Sequence, residues 1–242
     1  MLLTTPAPKI TEIYPYPDEI GLLKFQVLRF EPKGFRHRRP DGNGGWINNL
    51  KGVRRVLFHI NELQGKSHTC IPEGEKAVYC LMNHGFTATC NPMGAGKWSV
   101  EYTKQLVEAG IKYVFIFPDN DEPGMKHSVE IANSCLKAGI QVKLIILPGL
   151  PQKGDVSDWF DDGHSPDELR QILKASKEYS PKSPTVCLAD VEPEEVEWLW
   201  PPYIPLRKLT LLEGDPGVGK SWLSLAIATA VSRGAPFPGV ER

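Results

Sequence analysis

The sequence predicts an α/β protein. A parallel sheet carries helices on both faces, a small basic β-rich segment precedes it, and the start of a phosphate-loop unit follows it. Three observations carry this expectation. Short apolar runs at His68–Pro72, Val114–Phe117 and Val142–Leu147 alternate with stretches of helical periodicity, the signature of parallel strands joined by right-handed crossovers. Ahead of them, Lys9–Phe30 alternates apolar and polar residues around Pro17-Asp18-Glu19 and Gly21, as a β-hairpin does. Behind them, Leu209–Leu212 reads as a strand leading into the glycine-rich Gly214–Ser221 and a helix over Ser221–Arg233.

The elements follow in order. Ile10, Ile13, Tyr14 and Tyr16, then Leu23, Phe25, Val27 and Phe30, are the apolar positions of the hairpin. Lys24, Gln26 and Arg29 are expected on its polar face, and the basic segment Lys33–Pro40 comes next. Asp41–Gly45 is a turn-rich loop, followed by Trp46. His68–Pro72 is a short strand ending at Glu73-Gly74. Glu75–His84 is a helix with an apolar face at Ala77, Val78, Leu81 and Met82, stopped by Gly85. Phe86–Cys90 is β-like, and Asn91–Lys97 is a glycine-rich loop. Helices over Val100–Ala109 and Met125–Ala138 flank the central strand Tyr113–Phe117. Ser165-Pro166-Asp167-Glu168 starts a last helix of the sheet region, running to Ala175. Ser176–Pro205 is proline-rich and acidic and reads as a linker.

Composition bounds the possibilities. At 242 residues the chain holds one large or two small domains. The net charge of −1 hides an uneven distribution: Lys24–Arg55 contains nine Lys or Arg against two acids, a local charge of +7. The five cysteines include no CxxC pair, so zinc is not expected, and free thiols fit a reduced, cytoplasmic setting. Met1–Thr5 lacks the pattern of a signal peptide, and no apolar run reaches membrane-spanning length. No membrane partner is expected.

The chemistry lies in three acidic loops. Glu73 follows the first strand of the sheet, Asp119 and Asp121 the second, and Asp155 and Asp158 the third. An isolated Asp-x-Asp is more often a turn than a metal site. In a parallel sheet, however, the carboxyl ends of the strands share one edge, so these carboxylates converge. Their repulsion favours a hard divalent cation, Mg²⁺ or Mn²⁺. The basic cluster Arg36, Arg38, Arg39, Arg54 and Arg55, interleaved with Phe35 and Trp46, is a candidate surface for single-stranded nucleic acid. Its competing explanation is a solvated face.

IPEGEKAV (71–78), FPDNDEPG (117–124) and KGDVSDWF (153–160) resemble the motifs of the TOPRIM fold, a Rossmann-like domain of primases and topoisomerases. RFEPKGFRHRRPDGNGGWINNLKGVRRVLF (29–58) and TCNPMGAGKW (89–98) are similar to the phage and plasmid primase–helicase type, in which TOPRIM precedes a hexameric helicase-like ATPase. The resemblance covers most of residues 10–175. It implies a DNA primase that joins ribonucleoside triphosphates on a single-stranded DNA template. Glu73, Asp119 and Asp121 would be catalytic, and Asp119, Asp121, Asp155 and Asp158 would hold metal. Lys76, Lys97, Lys126 and Lys153 are candidates for triphosphate contacts, plain surface lysine being the alternative. Met93 stands where the family usually has Gly. A TOPRIM nuclease is a rival, disfavoured by domain order, and a non-catalytic nucleic-acid or nucleotide-binding module is another.

Gly94–Lys97 is not a phosphate loop, because Asn91 replaces the first Gly and Trp98 the Ser or Thr. Gly214, Asp215, Pro216, Gly217, Val218, Gly219, Lys220 and Ser221 match GxxxxGK[ST] and are expected to hold ATP. Residues 198–234 resemble the opening of a RecA-like, RepA-type helicase ATPase, with Arg207-Lys208 where Gly-Lys is usual. The expected organisation is a β-rich segment over 1–64, TOPRIM over 65–176, a linker over 177–205 and an incomplete P-loop NTPase over 206–242. The chain stops at Arg242 without a Walker B acid, so it reads as a fragment that does not hydrolyse ATP alone.

Overall fold

The computed structural model describes residues 8–181 and 195–240, and the chain forms two units, Met1–Pro181 and Lys182–Arg242. In the first unit β1 (Lys9–Pro17), β2 (Leu23–Glu31), β3 (Gly34–Pro40) and β4 (Trp46–Ile47) form an antiparallel sheet in that order. Opposed pairs Gln26↔Arg38 and Leu28↔Arg36 share one face, while Val27↔His37 and Arg29↔Phe35 share the other. Arg29 therefore does not join Lys24 and Gln26 on one polar face; it sits five residues from Lys24, an odd spacing in a period-2 strand.

The second sheet is parallel, in the order β5 (His68–Pro72), β6 (Tyr113–Phe117), β7 (Gln141–Leu144). The β-like stretch Phe86–Cys90 contributes one parallel bridge, Ala88 to Cys70, and no full strand. Thr89 instead turns its hydroxyl to the Phe58 carbonyl. Helices α1 (Glu75–Asn83) and α4 (Val156–Asp161) pack together, as do α2 (Val100–Glu108) and α3 (Glu122–Lys137). α1 gives way to the left-handed Gly85, as the sequence anticipates, and α2 and α3 end likewise at Gly110 and Gly139. α5 (Pro166–Ala175) opens on a reciprocal cap between Ser165 and Glu168.

The β-rich segment and the parallel sheet share one core. Tyr14, Tyr16, Phe25 and Phe58 are buried together with Ile71, Val78 and Leu81. Tyr16 stacks on Phe25, with ring centroids 4.5 Å apart, and its hydroxyl donates to Glu75 at 2.8 Å. Burial of each such aromatic contributes about 2 kcal/mol, so the seam between the segments is a packed interior.

The second unit departs from expectation in two places. The stretch read as a linker contains a hairpin, β8 (Trp198–Trp200) with β9 (Ile204–Pro205), in which Trp200 stacks on Phe237. Proline content concealed an aromatic pair able to pack. Its acidic run up to Glu194 lies outside the described residues. Leu209–Leu212 is not a strand; Leu209 is 97% exposed. A strand exists only where a neighbour takes up its backbone N–H and C=O groups, and none of the described residues does so here. Helix α6 (Lys220–Arg233) forms as anticipated, up to Gly234.

Met93 has φ 74, a left-handed conformation in which an L side chain crowds its own backbone. Met93→Gly should raise unfolding stability by about 1 kcal/mol, read from the urea midpoint at unchanged m-value. An unchanged or lower midpoint would show that the methionine side chain offsets the strain.

Candidate active site

The parallel register brings the acidic loops to one edge. Glu73 follows β5 directly, Asp119 lies two residues beyond β6, and Asp155 lies in the connection from β7 to α4. The last two loops are laced together by backbone bonds: Asn120 N–H donates to the Gly154 carbonyl (2.9 Å) and Lys153 N–H to that of Asn120 (3.0 Å). The Asn120 amide also donates to the carbonyls of Leu150 and Pro151. Two glycines permit this closeness. A Cβ on Gly124 would stand 2.8 Å from the Asp119 carbonyl oxygen, and one on Gly154 the same distance from Cδ of Pro151.

Each carboxylate has a defined environment. Asp121 caps α3, one oxygen accepting from Gly124 N–H at 2.8 Å. Asp155 caps α4 through Ser157 and Asp158 N–H, and Asp158 accepts in return from Asp155 N–H at 2.8 Å. Asp121 and Asp155 thus keep a second oxygen outside the cap. Asp119 and Glu73 lie in hydrogen-bonding reach of each other. Burial pushes the Asp119 carboxyl up to about 7, with the Glu73, Asp155 and Asp121 charges adding to it. Burial also raises Glu73, as does Asp121, while Lys33 draws it down.

The structure therefore gathers Glu73, Asp119, Asp121 and Asp155. Asp158 serves the helix cap and lines a separate cleft with Trp159 and Asp161. Among the described residues, no three His, Cys, Asp or Glu side chains form a ready-made metal cage. The four carboxylates supply only hard oxygen donors, and their mutual repulsion is what a divalent cation would offset, so the donor set fits Mg²⁺ or Mn²⁺.

Lys76, Lys97, Lys126 and Lys153 are all exposed. Lys153 belongs to the laced loop and has φ 63, a strained conformation that backbone bonds hold. Lys76 lines a cleft between β1, α1 and α4. Sequence reasoning does not single out Lys33, whose charge reaches Glu73: its only sequence signal is membership of the basic segment. It does not single out Glu75 either, whose carboxyl burial raises beside Tyr16.

The basic cluster divides. Arg38 lies over the Trp46 ring, 4.0 Å from its centroid, and donates to Gln26; Arg36 lies over Phe30. Arg39 falls on the other face, with its Nε buried and unpartnered. Arg54 is held by Glu19 through two bonds of 3.0 and 2.7 Å, and Arg55 faces His37 and Tyr102 electrostatically. Arg54 is thus committed to an ion pair, which sequence alone does not reveal because the partners are 35 residues apart.

In the second unit, Gly214–Ser221 forms a loop closed on itself. Lys220 Nζ donates to the carbonyls of Gly214 (2.6 Å) and Asp215 (2.7 Å). The loop opens directly into the first turn of α6, the arrangement in which backbone N–H groups point at an anion.

The carboxylate edge has a pH signature. Asp119 is raised in the folded state, so its stabilising contribution is fully present below its ordinary value of 3.8 and is lost as pH rises through about 7. With metal chelated, Asp119→Asn should stabilise the protein at pH 8 by on the order of 1 kcal/mol after screening. It should also flatten the melting-temperature profile between pH 4 and 8. An identical profile in the variant would show that the carboxylates do not repel.

Comparison with known proteins sets these features in context. A family model described as an AAA domain matches residues 176–242. The DNA primase of Chlamydia muridarum is 25% identical over 176 residues, covering 69% of this chain and 27% of that protein. The chain thus spans about a quarter of the length of the curated relatives it matches. Among solved structures, the zinc-binding and RNA polymerase domains of the Aquifex aeolicus primase superpose with TM-score 0.54 at 19% identity, covering 69% of this chain and 40% of that one. A DnaG primase catalytic domain bound to ssDNA gives TM-score 0.51 at 15% identity, covering 68% and 52%. The α/β fold of this chain is the one those primase domains have.

Proposed function

We propose that this chain is the priming part of a primase–helicase, joining ribonucleoside triphosphates into RNA on single-stranded DNA. The observation that carries this is the gathering of Glu73, Asp119, Asp121 and Asp155 at one edge of the parallel sheet, with Asp119 pushed up to about 7. The TOPRIM-like motifs and the primase relatives support it. Residues 1–64 are the template-binding part, 65–176 the TOPRIM domain, 177–197 a connection, and 198–242, with the β8–β9 hairpin, the opening of a RecA-like ATPase that binds ATP through Lys220 and Ser221. Assembly into a hexamer belongs to the complete protein.

Asp119, Asp121 and Asp155 would hold Mg²⁺ or Mn²⁺, which when bound stabilises the attacking and leaving oxygens of an in-line phosphoryl transfer. Glu73 is suited to accept the proton of the attacking 3′-hydroxyl, since burial raises its basicity. Lys97, Lys126 and Lys153 would draw triphosphate oxygens towards the edge by charge, and Lys33 acts on Glu73 from the β2–β3 turn. The template would lie on the face with Arg36, Arg38 and Trp46, cations meeting phosphates and the indole a base.

With ribonucleotides, Mg²⁺ and single-stranded DNA, the protein should make short RNA. Asp119→Asn should lower the rate by about 100-fold or more. DNA cleavage without synthesis would instead favour a TOPRIM nuclease. Replacing Arg36 and Arg38 together by Ala should reduce the salt slope of single-strand binding by about 1.4, at about 0.7 for each phosphate no longer neutralised. Arg39→Ala should leave the slope unchanged. Equal effects from all three would put the template across both faces of the sheet.

A further inference from the structure

The loop Asn91–Lys97 has no regular structure. Its chain leaves the sheet after the parallel bridge at Ala88, at the same edge from which β5 leads to Glu73. It then passes through left-handed conformations at Met93, Gly94 and Gly96. Side chains hold it instead of a ladder. Gly96 N–H donates to His127 Nδ1 at 3.0 Å, and His127 Nε2 lies 3.2 Å from Asn91 Oδ1. The Asn91 amide donates onward to the carbonyls of Pro92 (3.1 Å) and Gly94 (2.9 Å). His127 and Asn91 are 3% and 2% exposed.

The tautomer follows from these bonds. Nδ1 accepts from a backbone N–H, so the ring proton sits on Nε2 and is donated to Asn91. Burial holds the imidazole below its usual pKa, in keeping with a neutral ring. Packing alone needs no such arrangement: an apolar pair would fill the space without burying polar atoms that must all be satisfied. The arrangement fixes one thing, the place of Gly96 on α3. Lys97 is the next residue and is exposed. His127 lies five residues into α3, about 8 Å up the axis from the end capped by Asp121.

We propose that His127 is a positioning residue which, with Asn91, clamps the loop to α3 and holds Lys97 at the carboxylate edge for the phosphates of an incoming nucleoside triphosphate. This rests on the function proposed above. The clamp and Lys97 form one unit: with the clamp released, the lysine contributes to binding only from a mobile loop, and with Lys97 removed, the clamp has nothing to position.

The test is a double-mutant cycle on ATP binding with Mg²⁺ at pH 8, by calorimetry, in a Lys220→Ala background that silences the Gly214–Ser221 loop. His127→Leu keeps the volume and loses both bonds; it should weaken binding about 10-fold. Lys97→Ala should cost about the same, and the double variant should bind no worse than Lys97→Ala. His127→Gln, which keeps an acceptor and a donor, should stay within about 2-fold of the parent. Amide exchange at Gly96 should speed up in His127→Leu and not in Lys97→Ala. If His127→Leu does not fold, Asn91→Ala takes its place in the cycle, with the same expectation. Parental affinity in the clamp variant, or losses that multiply in the double variant, would overturn the proposal. A background protein that binds no ATP would overturn the proposed function and this inference with it, an outcome distinct from intact binding that ignores His127.

Discussion

Parallel pairing of β5, β6 and β7 is the constraint on which the molecule depends. Because His68 pairs with Tyr113 and Tyr113 with Gln141 in the same direction, each strand leaves the sheet at the same edge. Every acidic loop then begins there, whatever its sequence distance from the next. This has an electrostatic cost. Carboxylates brought together in a half-buried place cannot all ionise freely, and Asp119 carries that strain in a pKa of about 7. The fold resists it with neutral devices: caps at Asp121 and Asp155, and backbone bonds between the Asn120 and Gly154 loops. These hold the charges in place without cancelling them, which leaves the edge suited to a cation.

The β-rich segment is tied into the same interior. Tyr16 reaches from β1 to Glu75 in the first turn of α1, two residues beyond Glu73, and Phe58 packs between Tyr14, Tyr16 and Tyr79. Lys33, in the turn between β2 and β3, acts on Glu73 by charge. The sheet that carries Arg36, Arg38 and Trp46 is therefore packed, through aromatics on its other face, into the same interior as α1 and the strand before Glu73. The second unit follows a different logic. Its glycine-rich loop satisfies its own lysine internally, and Leu211, Trp222 and Leu225 on and before α6 are exposed.

How much of this was legible in the sequence depends on the distance over which each cause acts. Helix stops, the cap at Ser165 and the apolar runs of the sheet are set by residues a few positions apart, and they stand where periodicity and turn chemistry put them. The caps at Asp121 and Asp155 and helix α4 itself were missed in the sequence, because the same acids read there as metal ligands. The alternation of strands and helices was enough to place Glu73, Asp119, Asp121 and Asp155 on one edge, since topology follows from local pattern once the sheet is parallel. The glycine-rich turn at Gly214–Ser221 was legible from its motif spacing alone, without the strand expected before it.

What only the tertiary structure decided involves partners far apart in the chain. Glu19 takes Arg54 out of the basic cluster, strand register separates Arg39 from Arg36 and Arg38, and His127 reaches 31 residues back to Gly96. Leu209–Leu212 has the composition of a strand, yet strand formation requires a neighbour and composition cannot supply one. Asp155 and Asp158 close one reciprocal cap on α4, and the folded path of the chain puts Asp158 on a separate cleft while Asp155 acts on Asp119 at the edge. Local chemistry thus determined which residues carry the charge and where the glycine-rich turn before α6 stands. Non-local pairing decided which of them meet, because a side chain's partner is set by the folded path of the chain and not by its neighbours in sequence.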